Sequence, residues 1–137
     1  MKIRNASHQS TSAISVVIPM YNAEKYIGEC LTSLANQTFQ DFDVIVVDDC
    51  STDNTIEVVS SFAENNSRIQ QIKSDIHSGG YPSIPRNKGI ESAKGRYIAF
   101  LDADDIWEPD KLDSQIALFD GNTPIVFSNY QVISKYG

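Results

Sequence analysis

Between Ile14 and Ile133 the chain alternates short apolar runs with segments of helical period, and that alternation limits the fold more than any other feature. Runs of β-branched, aliphatic and aromatic residues at 14–18, 42–47, 69–73, 97–101 and 124–128 read as strands, with a further strand beginning at Tyr130. Between them, Tyr26, Ile27, Cys30, Leu31 and Leu34 recur at the spacing of one helix face, as do Ile56, Val59, Phe62 and Ala63. A short helix is expected over 86–93, ending at Gly95, and Pro109 starts another with Leu112, Ile116 and Leu118 or Phe119 inward. Asn22 is placed to cap the first helix, and Asp53 sits where the dipole of the second favours an acid. Strands alternating with helices predict an α/β fold, a Rossmann-like, mainly parallel sheet flanked by helices. In such sheets ligands bind outside the carboxyl ends of the strands, where strand order reverses.

At 137 residues the chain is sized for one core, and 41% hydrophobic content is ordinary for a globular protein. Residues 1–13 are rich in Ser, Thr, Asn and Gln without periodicity and are expected to form a disordered tail, His8 included. They lack a signal-peptide core, and no run approaches the roughly 18–20 apolar residues of a membrane span, so a cytoplasmic location is expected. Cys30 on a helix face and Cys50 in a turn match no disulfide or metal spacing and are read as free thiols. A net charge of -7 argues against binding nucleic acid, which calls for a basic face. An anionic ligand would need a bridging cation or local basic groups, of which Arg86 and Lys88 are the candidates.

Two of the strands end in acids: Asp48 and Asp49 follow Val47, and Asp102, Asp104 and Asp105 follow Leu101. Carboxylates a few residues apart raise one another's pKa and ask for a cation, a hard divalent metal being the simplest. In extended chain Asp102 and Asp104 point to the same side. Asp-rich turns also arise because Asp tolerates turn conformations, and one of Asp48 and Asp49 can simply cap its turn. Pro19 and Tyr21 follow the first strand, so they and the acids should share one rim. The long loop over 74–85, with Gly79, Gly80, Pro82 and Pro85, is of the length that is usually functional or disordered. His77 within it has no second imidazole nearby and is not expected to bind metal, and Cys30 reads as core rather than nucleophile. Neither G-x-G-x-x-G nor the G-x-x-x-x-G-K-S/T phosphate loop is present, so phosphates would be held through metal. One rim acid on a metal and another accepting from a base or ribose would suit a nucleotide diphosphate lying across the sheet.

Four blocks in order, Ser15-Val16-Val17-Ile18-Pro19-Met20-Tyr21-Asn22, Gln37-Thr38-Phe39 with Val46-Val47-Asp48-Asp49-Cys50-Ser51-Thr52-Asp53, Arg86-Asn87-Lys88-Gly89-Ile90 and Phe100-Leu101-Asp102-Ala103-Asp104-Asp105, resemble family 2 glycosyltransferases of the GT-A fold. The resemblance covers residues 14–118 and implies transfer of a sugar from a nucleotide-diphosphate donor, usually a UDP-sugar, with inversion and with Mg²⁺ or Mn²⁺ on the diphosphate. It puts Pro19 and Tyr21 beside the nucleobase, Asp49 on the uracil ring, Arg86 at the base or diphosphate, Asp102 on the ribose side and Asp104 on the metal. Residues 14–137 would then be the nucleotide-sugar-binding part of a chain truncated at its C-terminus. The acceptor-binding half and the general base, an Asp or Glu, are expected beyond Gly137, so this chain alone should bind donor and transfer little or nothing. The acceptor implied is a glycan or a lipid-linked glycan, the latter met peripherally at the inner face of the membrane, in a cell-envelope or capsule role. The loop over 78–85 is longer and richer in proline than the family's usual approach to Arg-Asn, which leaves the donor sugar open.

Other classes fit less well. A phosphoaspartate receiver needs its acid pair on the first strand, which here ends in proline, and an acceptor Asp on the third, which carries none. A D-x-D-x-T/V phosphatase also wants its motif on the first strand. A D-x-D-x-D-G calcium loop fails at Ile106 and Trp107. The alternative that survives is a nucleotide-sugar-binding module without transferase activity.

Overall fold

A computed structural model of the chain describes residues 12–133. Strands β1 (Ile14–Met20), β2 (Phe42–Asp48), β3 (Ile69–Lys73) and β4 (Tyr97–Phe100) alternate with helices α1 (Ile27–Ala35), α2 (Thr55–Glu64), α3 (Ser83–Ser92) and α4 (Lys111–Ile116). The strands form one parallel sheet in the order β3-β2-β1-β4, with Ile14 opposite Phe42 on one side and Tyr97 on the other. Residues 1–11 of the expected tail lie outside the described residues. Ala13, also assigned to it, is tied to the sheet: its N–H donates to Asp41 C=O and its C=O accepts from Tyr97 N–H.

Strand alternation sorts the core into two faces. Val16, Ile18, Met20, Val44 and Val46 pack with Ile27, Cys30, Leu31, Leu34 and Val59 from α1 and α2, and with Leu101, Trp107 and Leu112 beyond β4. Val17 faces the other way, beneath α3, where Gly89 has no side chain to hold the helix off.

Strand order reverses at β1, and Pro19 helps open the crevice there. Odd-numbered residues of β1 turn their backbone groups towards β4, as the 3.1 Å bond from Leu101 N–H to Val17 C=O shows. The β1–β4 register ends at Val17, so the N–H that proline lacks falls where β4 has already left the sheet. β1 therefore continues through Pro19 to Met20 against β2 alone.

Several expectations are corrected. Asn22 caps no helix: α1 begins at Ile27 after Tyr26, and Asn22 adopts φ 47°, a left-handed conformation Asn tolerates. Tyr26 is half-exposed rather than core. α3 starts at Ser83, with Pro85 in the first turn, where a missing N–H costs no bond. β4 is an edge strand, not a fully buried one, and leaves Ile98 and Phe100 40% and 48% exposed because α3 covers β1 and β2 instead. At the end of α4 Phe119 turns in, its ring centroid 4.4 Å from that of Tyr97, while Leu118 stays exposed. The strands expected at 124–128 and from Tyr130 are not formed. Their residues have strand propensity but make no ladder with either sheet edge, and Phe127 and Tyr130 are exposed.

Candidate active site

The loops leaving the carboxyl ends of β1 and β2 are laced together. Asn22 N–H donates to Ser51 Oγ at 2.9 Å, and Thr52 N–H donates to Asn22 Oδ1 at 2.8 Å. Ala23 N–H donates to Thr55 Oγ1 at 2.7 Å, and Glu24 N–H to Asp53 Oδ2 at 3.2 Å. Asp53 also accepts from Thr55 N–H, so it holds the start of α2 by hydrogen bonds as well as by charge. Asp48, fully buried, spends both oxygens on Ser51 N–H at 3.2 and 3.3 Å, which is the turn-capping role open to one member of the pair. Cys50 adopts φ 67° in that turn and donates its thiol to Ser74 C=O.

Above this floor lies a cavity of about 400 Å³. Pro19, Tyr21, Asp49, Arg86, Asp102 and Asp104 all line it, drawn from four separate stretches of chain. Arg86, in α3, places Nη2 at 2.5 Å from Asp102 Oδ1, joining the helix to the acid loop after β4. Its Nε is buried without a hydrogen-bond partner. Such an orphaned charged donor is costly, and the guanidinium that carries it lines the cavity as a fixed positive charge. Asp104 is exposed and takes no hydrogen bond or ion pair from any described residue.

Two residues at the rim were not anticipated there. The loop after β3 turns at Gly79 and Gly80, both at positive φ, and lays His77 and Ser78 on Asp49. Ser78 N–H reaches Asp49 Oδ1 at 2.9 Å, its hydroxyl reaches Oδ2 at 2.6 Å, and His77 Nδ1 lies 3.1 Å from Oδ2. Gly79 N–H approaches the same His77 nitrogen at 2.9 Å, so in the neutral ring the two contacts compete. The His77 ring packs on Tyr21 with centroids 4.3 Å apart. A carboxylate offers about four acceptor positions, so Asp49 keeps room for a further donor. The loop's length was the only signal for this contact.

Beyond the Arg86–Asp102 pair the acid loop keeps excess negative charge. Burial first, then the charges of Asp105, Asp104 and Asp102, push the Cys30 thiol up to about 12. Burial and the charges of Asp104 and Asp102 raise Asp105 as well. Among the described residues no three His, Cys, Asp or Glu side chains gather as a metal cage. The donor set fits a hard cation that takes one or two carboxylates and completes its shell with phosphate and water, as Mg²⁺ commonly does.

Fold and rim together define an α/β protein with a candidate ligand site at the switch point of its parallel sheet. Residues 15–136 match the sequence profile of Glycosyl transferase family 2. The chain is 37% identical over 123 residues to the UDP-Glc:alpha-D-GlcNAc-diphosphoundecaprenol beta-1,3-glucosyltransferase WfgD of Escherichia coli, covering 89% of this chain and 47% of that one. Staphylococcus aureus TarS 1-349, solved in complex with UDP-GlcNAc, superposes with a TM-score of 0.73 at 40% identity, over 79% of this chain and 31% of that one. The mannosyltransferase PcManGT of Pyrobaculum calidifontis, solved with GDP-Man and Mn2+, gives the same TM-score at 25% identity, over 80% of this chain and 33% of that one. The chain thus belongs to glycosyl transferase family 2 and has the α/β architecture of the GT-A fold. It spans about half or less of the length of the curated relatives it matches. Among the described residues no helix is long and apolar enough to cross a membrane.

Proposed function

We propose that residues 14–137 are the donor-binding part of a glycosyltransferase that takes a sugar from a UDP-sugar with inversion, helped by Mg²⁺ or Mn²⁺. The observation that carries this reading is the convergence of Pro19, Tyr21, Asp49, Arg86, Asp102 and Asp104 on one cavity at the switch point. Pro19 and Tyr21 would flank the base, and Asp49 would accept from its ring N–H. Asp102 would lie on the ribose side, and Arg86, with its unpartnered Nε, at the base or diphosphate. Asp104, with or without Asp102, would hold the cation. A bound cation would neutralise charge on the leaving diphosphate, an effect typically worth several kcal/mol. UDP is favoured over other nucleotides because the more similar solved relative, at 40% identity, carries UDP-GlcNAc. A glycan or lipid-linked acceptor is supported by the diphosphoundecaprenol acceptor in the name of the Escherichia coli relative. Inverting transfer also needs a base for the acceptor hydroxyl, a role given to none of these six residues.

Calorimetric titration with UDP, in Mn²⁺ and again in EDTA, tests the reading. Binding should strengthen with Mn²⁺, and Asp104→Ala should remove that gain while leaving the EDTA titration as it was. A folded protein that ignores UDP in both conditions would sink the donor assignment.

A further inference from the structure

We propose that Gln37 is a positioning residue for the acid loop, acting with Ser33 and Cys30 through the loop's backbone. The three residues are spaced by three and four, so they rise on one face of α1 and the turn that follows it. Each meets a different part of the chain after β4. Cys30 Sγ donates to Asp102 C=O at 3.6 Å, and Ser33 Oγ accepts from Trp107 N–H at 3.2 Å. Gln37 Nε2 donates to Glu108 C=O at 2.7 Å, and its Oε1 accepts from Leu112 N–H at 3.1 Å. Thr38 N–H adds a bond to Pro109 C=O at 2.8 Å.

The loop is thereby held at its start, middle and end, and always by main-chain groups. The carboxylates of Asp102 and Asp104 stay free of α1 and face the cavity. Gln37 also replaces the missing cap of α4, since Asp110 makes no side-chain bond there. Ser33 and Gln37 are 6% and 3% exposed, and polar groups so buried are retained at a cost unless every bond is made. An apolar side chain of the same size would fill the space and leave the loop unplaced. Groups that orient a metal ligand typically alter metal affinity by about tenfold or more when removed, and here the orientation runs through the backbone on either side of Asp104.

The ligand readout rests on the donor site proposed above, whereas the loop readout does not. Gln37→Met keeps volume and removes both bonds; Ser33→Ala removes the Trp107 contact at less risk to folding, and Ser33→Thr retains the hydroxyl. Hydrogen exchange of amides 102–108 and UDP titrations with and without Mn²⁺ are measured on the whole chain. In Gln37→Met and Ser33→Ala those amides should exchange faster, and UDP affinity should fall about tenfold in Mn²⁺ only. Ser33→Thr should behave as the wild type. Wild-type exchange in both loss variants, or equal affinity losses with and without metal, would overturn the proposal. Should the unmodified chain fail to bind UDP at all, the donor reading fails and the exchange data alone decide the positioning role.

Discussion

Gly89→Ala tests how tightly the packing of α3 sets the rim. A Cβ at position 89 would lie 2.3 Å from Val17 Cγ1, with Val17 Cγ2 at 3.2 Å and Val17 Cβ at 3.4 Å. Val17 is fully buried, so a χ1 turn that brought its Cβ hydrogen to face position 89 would drive its methyls into a close-packed interior. The helix must instead retreat by about 1 Å to restore ordinary contact. Overpacking of this kind costs about 1–3 kcal/mol, and the better helix propensity of Ala returns up to about 1 kcal/mol. A net loss of about 1–2 kcal/mol lowers Tm by roughly 4–10 °C in a domain of this size. Arg86 lies one turn earlier on the same helix, so its contact with Asp102 should loosen and, on the proposed donor reading, UDP affinity should drop roughly fivefold. Thermal melts read by circular dichroism and the UDP titration measure both effects. Val17→Ala alone removes about two methyl groups' worth of burial, about 2–3 kcal/mol with its cavity. In the Gly89→Ala background it should cost at least about 1 kcal/mol less. Additive losses in the double variant, or a Gly89→Ala protein with unchanged Tm, would refute the steric argument.

Three further outcomes follow from local chemistry. A thiol reagent should label Cys50 alone in the folded protein, because Cys30 is fully buried and its pKa is pushed up to about 12; labelling of both thiols without denaturant would contradict this. Burial raises the Asp53 carboxyl, but bonds from Thr55 and Glu24 outweigh it and hold the group below its ordinary 3.8. Its contribution is therefore complete above that value and is lost as pH falls through the lower folded pKa, and Asp53→Asn should flatten this limb of the stability–pH curve. Cys50→Gly removes a left-handed non-glycine residue at φ 67° and should raise stability by up to about 1 kcal/mol in a urea titration.

The carboxyl ends of the strands were legible because an apolar run announces where a strand stops, and the residue after it inherits the rim. That is why Asp49 and Asp102 could be placed before any fold was known, whereas Pro19, expected after the first strand, lies within β1, which runs on to Met20. Features that depend on a partner far along the chain were not legible. Asn22 looks like a helix cap until Ser51 and Thr52, some thirty residues on, are seen to hold it in a left-handed conformation. Residues 124–128 have the composition of a strand, but composition cannot report whether a neighbouring edge is within reach. Gln37 was legible only as part of the Gln37-Thr38-Phe39 block; its burial and its bonds to the acid loop appear only when α4 closes over it.

The rim acids divide by what already occupies them, and that division argues for where a ligand would enter. Asp48 is spent on its own turn, Asp49 is largely filled by Ser78, and Asp102 is shared with Arg86. Asp104 alone of the four takes no bond from a described residue, within a loop whose charge already raises Cys30 and Asp105. A bare anion arriving there would meet repulsion, whereas an anion carrying a divalent cation would relieve it. Arg86, whose side chain lines the same cavity, is a permanent cation that would favour an anion there as well. On the proposed reading, Asp104→Asn should lose the metal-dependent gain in UDP affinity as fully as Asp104→Ala, because the cation needs charge as well as an oxygen. An Asn variant with wild-type Mn²⁺ dependence would move the cation off this loop.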